Sequence, residues 1–281
     1  MYHIGMTQWI VGNEPLEVSC ARMQECGYDG IDFAAEPYTL NAEECLGLKK
    51  KYNLNCHSLC GIFGEDRDLT SNGEAGRNAV KYLKDSVDFA VKVGAKLIIV
   101  VPSPVGRTVK PEGISIEELT QNAVANIREA ADYALTHGVK LAIEAITRYE
   151  TYFVNTLKKA LDFAEKVDHP AVGIMADLFH MSIEEGCMVD SLLMIQKYLI
   201  HVHVADNTRE PAGMGSTDFK EVMRVLKRLG YEGSLTMEFM YRLANPYSSQ
   251  GINTQTELMD RYAKQAIDYI KAVEKSVADF E

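Results

Sequence analysis

Four side chains that could ligate a metal ion interrupt apolar segments in the second half of the chain. Three are carboxylates, and three carboxylates held close together would repel one another and raise one another's pKa values. A divalent cation removes that repulsion, and oxygen-rich ligation with a single imidazole suits Mn²⁺, Mg²⁺ or Co²⁺ better than a structural zinc ion. The four residues are Glu144 in KLAIEAI, Asp177 in VGIMADL, His203 in LIHVHVA and Glu238 in GSLTMEF.

Each of these residues has an ordinary structural explanation when it is taken alone. A Glu at a strand end commonly pairs with a surface Lys, an Asp can cap the following turn, and a His in a strand is commonly a hydrogen-bonded core residue. Inward polar groups on four successive strands are harder to explain in this way, because a buried charge without a partner is unfavourable. The joint pattern therefore predicts one divalent metal site, with Mn²⁺ as its expected ion and Mg²⁺ or Co²⁺ as alternatives.

Period-two spacing decides which side chains share a face of a strand. His201 and His203 lie two residues apart, so both are predicted to point into the space that the strands enclose. His203 is one layer nearer the end of its strand and is the predicted ligand, whereas His201 is predicted to pack and hydrogen-bond beneath it. The segment that contains Asp177 alternates less regularly, because the apolar Met175 shares its face.

Short β-rich runs alternate with amphipathic helical patterns eight times, without a Gly/Pro/Ser-rich linker. This predicts an α/β fold, a single-domain (β/α)8 TIM barrel over residues 1–281, with functional groups at the carboxyl ends of the strands. An open doubly wound sheet is disfavoured, because no GxGxxG loop follows the first strand. The predicted strands cover 3–9, 30–34, 54–61, 96–102, 140–146, 172–178, 199–205 and 233–239. The predicted helices, several of which end at Gly, cover 15–26, 42–52, 73–93, 116–137, 155–167, 188–198, 218–229 and 254–277.

Composition excludes several classes of protein. The net charge of −11 repels nucleic-acid phosphates, and no cluster of Lys and Arg offers a surface for them. No apolar run reaches the roughly 18 residues of a membrane span, and the amino terminus lacks the pattern of a signal peptide. The six cysteines form no CxxC pair and are predicted to be buried free thiols, which indicates a reducing, cytoplasmic location.

Several stretches resemble the xylose-isomerase-like sugar isomerase and epimerase barrels, and within them the ketose 3-epimerases of the D-tagatose/D-psicose 3-epimerase group. They are EAITRYETYFVNT, MADLFHMSIEEG, HVHVADNTREPAGMGSTDF and LTMEF, and the likeness spans essentially the whole chain. The resemblance implies that the metal ligands are the four residues introduced above. It also implies that Glu150, His180 and Arg209 contact the sugar, since their spacings from the ligands match those of the family.

The resemblance further implies an epimerase that inverts C3 of a ketose. Glu144 and Glu238 would stand on opposite faces of C3, so that one removes a proton and the other returns one through an enediolate, while the metal polarises the C2 carbonyl. His180 and Arg209 would hold O1 and O2, and Glu150 would bind a hydroxyl or orient a neighbouring group. The expected partners are a small-molecule sugar and, by the same resemblance, further copies of the chain in a homodimer or homotetramer.

Other interpretations stay open from the sequence. The segments GMTQWI and VPSPVGRTVKPEG differ from the aromatic-rich pockets of free-ketose members. The same metal site also supports aldose–ketose isomerisation, inosose dehydration, elimination from an oxidised sugar or epimerisation of a sugar phosphate. Trp9 and His57 could line the pocket or pack the barrel. Cations that could bind a phosphate from the rim loops are Arg107, Lys110, Arg148 and Arg242.

Two alternatives lie outside this enolisation chemistry. A DNA-repair hydrolase on the same barrel would need more inward His residues than the seven His of the chain allow, together with a basic face. A non-catalytic sugar-binding subunit would lack a ligand or a base, and none is missing from the pattern.

Overall fold

The computed structural model describes residues 2–241 and 256–278. Eight parallel strands close into a barrel, in which each strand pairs with the next and the last pairs with the first. This confirms the predicted (β/α)8 TIM barrel. The strands are β1 (Ile4–Thr7), β2 (Gly30–Ala35), β3 (Asn55–Gly61), β4 (Leu97–Val100), β5 (Lys140–Glu144), β6 (Val172–Asp177), β7 (Leu199–Val204) and β8 (Leu235–Met237).

Helices connect the strands and pack around the barrel. They are α1 (Leu16–Cys26), α2 (Ala42–Lys51), α3 (Glu74–Val93), α4 (Ile116–Thr136), α5 (Leu157–Val167), α6 (Leu178–Glu184), α7 (Met188–Met194), α8 (Phe219–Arg228) and α9 (Thr256–Ala278). Gly27 and Gly94 end α1 and α3 in the left-handed conformation that glycine adopts without strain. Within the described residues, no helix is both long enough and apolar enough to cross a membrane.

The predicted elements differ from the observed ones at several ends. The predicted strand 172–178 stops at Asp177, because this side chain caps the next helix: its Oδ1 accepts from the N–H groups of Phe179 (2.7 Å) and His180 (3.2 Å). The helix that follows, α6, is missing from the prediction, and the predicted helix 188–198 ends at Met194. The first and last strands are shorter than predicted, and the predicted helix 254–277 starts outside the described residues.

The strands carry apolar side chains on both faces, because helices cover the outside and side chains fill the inside. On β5, Leu141 and Ile143 belong to the outer core, whereas Ala142 belongs to the inner one, which is the predicted alternation. A fully buried Leu or Ile contributes about 1.5–3 kcal/mol, so such outward rows supply much of the free energy that holds the helices on the barrel. The inward apolar cluster consists of Cys60, Leu97, Ile99, Ala142 and Met175.

A buried polar network, called the lower network here, consists of Asp32, Ser58, His201 and Ser234. His201 Nε2 lies 3.3 Å from Asp32 Oδ2, and Ser234 Oγ lies 3.3 Å from His201 Nδ1. Ser58 donates to both oxygens of Asp32, through its hydroxyl (2.6 Å) and its backbone N–H (3.0 Å). Burial alone would raise the pKa of Asp32, but the hydrogen bond and charge of His201 hold it well below its usual value. The predicted packed, hydrogen-bonded role of His201 is confirmed.

The cysteines are free thiols, as predicted, but not all of them are buried. Cys26 is half-buried and Cys187 is exposed, so the prediction of buried thiols is wrong for these two. Cys26 is the last residue of α1, and Cys187 directly precedes α7. At helix ends the periodic pattern no longer decides which side chains face the core.

Candidate active site

Four strand ends bring the predicted ligands together at one rim of the barrel. Glu144 and Asp177 are the last residues of β5 and β6. His203 is the last but one of β7, and Glu238 directly follows β8. Because the strands are parallel, these positions share the carboxyl end of the barrel. All four side chains are buried, and one ligand atom from each lies within 4.8 Å of the others. These four residues are called the rim cluster.

Burial and mutual repulsion disturb the acids of the rim cluster. Burial raises the pKa of Glu144 well above its usual value, and the charges of Glu238 and Asp177 raise it further. Burial and the charge of Glu238 raise the pKa of Asp177 to about 7. Such shifts arise where carboxylates are held together with too little positive charge. A divalent cation would supply the charge that the protein does not.

His203 is the least satisfied side chain of the rim cluster. Its Nδ1 lies 3.2 Å from Glu238 Oε1 and 4.0 Å from Asp177 Oδ2. Among the described residues, neither ring nitrogen has a well-aligned hydrogen-bond partner, although the ring is fully buried. Burial would lower the pKa of His203, but the charge of Glu238 raises it to about 10. The charge of His203 in turn lowers the pKa of Glu238, against the opposing effect of burial. A buried imidazole beside three carboxylates fits a divalent metal ion.

His180 stands beside the rim cluster in the first turn of α6. Its Nδ1 accepts a hydrogen bond from the N–H of Thr147 (3.2 Å), so the neutral ring carries its proton on Nε2, which lies 3.9 Å from Asp177 Oδ2. Burial and the charge of Arg209 lower the pKa of His180 well below its usual value. This imidazole is therefore a neutral hydrogen-bond donor at the edge of the site.

Arg209 reaches the site from the loop that follows β7. Its backbone is left-handed (φ 61°), and its N–H donates to the carbonyl of Asp206 (2.8 Å). The guanidinium lies over the ring of Phe179, with 4.6 Å between Cζ and the ring centre. Nη1 donates to Glu150 Oε1 (3.0 Å), and Nη2 lies 4.0 Å from Glu238 Oε2. The structure thus brings all three predicted sugar-contacting residues to the rim cluster or next to it.

Glu144, Glu238, His180 and Arg209 line part of a cavity of about 440 Å³. Trp9, which the sequence left undecided, lies in this cavity and donates from Nε1 to Glu238 Oε1 (2.9 Å). Cys60 lies 3.6 Å from the same oxygen through Sγ and was not predicted, although it follows the inward-facing Ser58 by two residues. The other side of the cavity, called the apolar wall, consists of Ile62, Phe63, Val101, Val105 and Ile146.

His57 lies at the opposite end of the barrel, so its suggested place in the pocket is wrong. It is near the start of β3, and its Nε2 lies 3.2 Å from Asp29 Oδ1. Its ring fills the space beside Gly30, where an added Cβ would lie 2.1 Å from the ring. A second cavity of about 610 Å³ lies there, bordered by His3 and His57, but barrel enzymes place their chemistry at the carboxyl ends of the strands.

Three of the four cations suggested for the rim loops already have protein partners. Arg107 pairs with Asp68 through Nη1 (2.6 Å) and also with Glu65. The guanidinium of Arg148 donates to both carboxylate oxygens of Glu184, from Nε to Oε1 (2.9 Å) and from Nη2 to Oε2 (2.6 Å) among others. The ammonium of Lys110 donates to the carbonyls of Pro111 and Ile114. Arg242 lies outside the described residues.

The fold and the rim cluster define the class of protein. The chain belongs to the xylose isomerase-like TIM barrel family, whose model matches residues 20–273.

Its relatives are sugar epimerases. Over 252 residues it is 30% identical to an L-ribulose 3-epimerase of Methylomonas sp. (strain DH-1), covering 87% of each chain. Over 230 residues it is 28% identical to the 3-dehydro-D-guloside 4-epimerase of Escherichia coli (strain K12), covering 80% of this chain and 87% of that protein. A solved structure of a Methylomonas D-allulose 3-epimerase in complex with D-allulose matches with a TM-score of 0.85 at 26% identity, over 96% of each chain. These relatives are isomerases, which confirms the predicted enzyme class.

Proposed function

We propose that the protein is a metal-dependent ketose 3-epimerase. The observation that carries this proposal is the rim cluster, which holds two glutamates in one buried site. The relatives support the reaction, because those that cover most of the chain include an L-ribulose 3-epimerase.

The rim cluster would hold one divalent cation, with Mn²⁺ as the expected ion and Mg²⁺ or Co²⁺ as alternatives. The donor set fits, since it combines three carboxylates with an imidazole whose nitrogens lack aligned partners among the described residues. The bound cation supplies Lewis acidity, which makes the proton on the carbon next to the ketose carbonyl more acidic.

Glu144 and Glu238 are the proposed proton-transfer residues. They stand on β5 and at the end of β8, three strands apart around the rim, so a sugar between them presents one face of C3 to each. One carboxylate removes the C3 proton, and the other returns a proton to the opposite face of the enediolate. The indole N–H of Trp9 fixes Oε1 of Glu238, which leaves its orientation well defined.

His180 and Arg209 are proposed to bind the carbonyl end of the sugar. The Nε2 proton of neutral His180 and the guanidinium of Arg209 would donate to O1 and O2 and stabilise the negative charge that develops there. Glu150 accepts a 3.0 Å hydrogen bond from the guanidinium of Arg209. We therefore propose two roles for Glu150: it orients Arg209, and it binds a hydroxyl of the sugar.

Free rather than phosphorylated sugars are the proposed substrates. A phosphate needs cations or backbone N–H groups, and the described rim cations Arg107, Lys110 and Arg148 are already engaged with protein groups. A second candidate function is epimerisation at C4 of a 3-keto sugar. It is supported by the similarity to the 3-dehydro-D-guloside 4-epimerase of Escherichia coli.

Turnover in deuterated water distinguishes these reactions. Protein loaded with Mn²⁺ is incubated with a panel of free ketoses, their phosphates and 3-keto glycosides, and NMR locates the deuterium in the products. We expect deuterium at C3 of free ketoses together with formation of the C3 epimer. Deuterium at C2 of an aldose product, or at C1 of the recovered ketose, would replace the proposal by aldose–ketose isomerisation, and deuterium at C4 of a 3-keto glycoside would favour the second candidate.

A further inference from the structure

The apolar wall lies across the barrel mouth from β8. Ile62 and Phe63 follow β3, Val101 and Val105 follow β4, and Ile146 follows β5. In a closed eight-stranded barrel, β4 is diametrically opposite β8.

The side chains of the apolar wall offer no hydrogen bonds to a sugar hydroxyl. Its five side chains are hydrocarbon, and Phe63, Val101 and Ile146 are each at most 4% exposed. Two backbone donors beside the wall are already used: the N–H of Val105 donates to Phe63 O (3.1 Å), and that of Gly106 donates to Glu150 O (2.7 Å). Among the described residues that line this cavity, the titratable ones outside the apolar wall are Glu144, His180, Arg209 and Glu238, from the ends of β5 to β8, and Cys60 from β3.

The proposed function, on which this step rests, fixes which end of the sugar meets the apolar wall. His180 and Arg209, on the β6 and β7 side, take the carbonyl end, and the two glutamates flank C3. The carbons beyond C3 then extend toward β3, β4 and β5, where the cavity continues. The terminal carbon of a hexulose therefore approaches the apolar wall.

We infer that the protein prefers ketoses whose terminal carbon is a methyl group, namely terminally deoxygenated ketoses, over the same ketoses with a terminal hydroxymethyl group. A terminal hydroxyl at the wall gives up its hydrogen bonds to water and finds no replacement. A methyl group at the same place gives up none and gains apolar contact. Val105 and its neighbours thus act as determinants of specificity and leave the proton transfer itself unchanged.

Matched sugar pairs test this preference. Mn²⁺-loaded protein is given 6-deoxy-tagatose against tagatose and 6-deoxy-fructose against fructose, in both D and L series, and kcat/KM for C3 epimerisation is measured. We expect the deoxy sugar to be favoured about tenfold or more in the configuration that the site accepts, because an apolar pocket typically discriminates against a hydroxyl by up to about a hundredfold. A ratio at or below one in every pair would overturn the inference.

A polar substitution in the wall sharpens the test. Val105→Thr adds a hydroxyl at nearly the same volume, so it should lower the deoxy-to-parent ratio severalfold, mainly through a lower KM for the parent sugar. Val91→Thr, at a half-exposed position on α3, is the matched control and should leave the ratio unchanged. An unchanged ratio in folded Val105→Thr protein would remove Val105 from the specificity argument and overturn the inference.

The two proposals can fail separately. Parent ketoses that are epimerised at C3 as fast as their deoxy partners would leave the epimerase standing and refute only the preference. Absence of deuterium at C3 in every sugar of every pair would refute the epimerase itself, and the preference with it.

Discussion

The rim cluster and the lower network both combine buried carboxylate and imidazole groups inside the barrel, one layer apart. Each contains a His of β7, and the two rings contact each other edge to face at 5.0 Å between centroids. In the lower network, one carboxylate faces one imidazole and two serines, and every one of these side chains has a partner. In the rim cluster, three carboxylates face one imidazole that has no aligned hydrogen bond among the described residues.

This difference indicates that one buried polar region of the barrel has a structural role and the other a functional role. A buried polar group is normally satisfied, so a satisfied network needs no ligand to explain it. A network with unsatisfied buried groups is instead typical of a functional site. In the rim cluster, a divalent cation would offset the excess of negative charge. The lower network should therefore govern stability, and the rim cluster should govern metal binding and turnover.

Glu238→Gln should have the largest effect. With Mn²⁺ saturating, we expect kcat for C3 epimerisation to fall by roughly 10²- to 10⁴-fold, since the variant loses one of two proton-transfer groups. Glu144 remains, so deuterium should still enter C3 of one epimer without inversion, and Glu144→Gln should show the same exchange with the other epimer. Kinetics in deuterated water, followed by NMR, measure both quantities.

Glu232→Gln is the matched control for this substitution. Glu232 is exposed and borders the cavity at the opposite end of the barrel, so its loss should leave kcat unchanged. Unaltered inversion by either variant of the two rim glutamates would contradict the two-base mechanism.

The two histidines give the next largest effect, and the most direct comparison of the two regions. His203→Gln should weaken Mn²⁺ binding by at least about a hundredfold, because loss of even an outer partner weakens a metal site by roughly 10- to 100-fold. His201→Gln should change the affinity by less than about tenfold, but should lower the free energy of unfolding by about 3 kcal/mol, because the buried Asp32 carboxylate loses its imidazole partner and keeps only the two hydrogen bonds from Ser58. Trp9 is the only tryptophan of the sequence and lies in the cavity, so its fluorescence can report the metal titration. Equal losses of affinity in both variants would erase the distinction.

The sequence was sufficient to predict the strands and the inward faces, because alternation fixes which side of a strand a residue occupies. It placed His203 above His201 and turned Glu144 and Glu238 toward the axis for that reason. The mapping of Glu150, His180 and Arg209 came from the resemblance, and their roles stay predictions.

What the sequence could not predict depends on contacts between distant segments. Arg209 pairs with Glu150 across 59 residues, and Trp9 donates to a carboxylate 229 residues away. The sequence left two places open for His57, in the pocket or packed in the barrel, because periodicity gives the face of a strand but not the height along the barrel axis. The helix α6 was missed, because Asp177 serves as its cap and also stands in the rim cluster.

The pH dependence of stability should have opposite signs with and without metal. In the presence of a chelator, the pKa of Asp177 is raised to about 7 and that of His203 to about 10, both above their values in the unfolded chain. The folded protein then binds more protons than the unfolded one, so stability is greatest at low pH within this window and is lost as pH rises. We expect the free energy of unfolding to fall by about 2 kcal/mol between pH 6 and pH 8, at about 1.4 kcal/mol per proton and pH unit.

Saturating Mn²⁺ should reverse this trend, because the metal binds the deprotonated ligands and its contribution grows with pH. Urea unfolding at the two pH values, with chelator and with Mn²⁺, measures the sign in each state. The lower network provides the contrast within the same barrel. The pKa values of His201 and Asp32 are lowered, whereas those of Asp177 and His203 in the rim cluster are raised. Stability that rises with pH in the presence of chelator would show that the rim acids are not strained by one another.

Trp9→Phe should give the smallest effect, because it removes a single hydrogen bond and keeps an aromatic ring in the cavity. The indole N–H lies 2.9 Å from Glu238 Oε1 and stabilises the charged carboxylate. Without it, we expect kcat to fall roughly tenfold, with little change in KM, since a hydrogen bond to a charged group contributes about 1.5–3 kcal/mol. The acidic limb of the kcat profile should also move to higher pH, because Glu238 then ionises less readily. A lower kcat with an unmoved acidic limb would mean that Trp9 only packs against the site and does not stabilise the charge of Glu238.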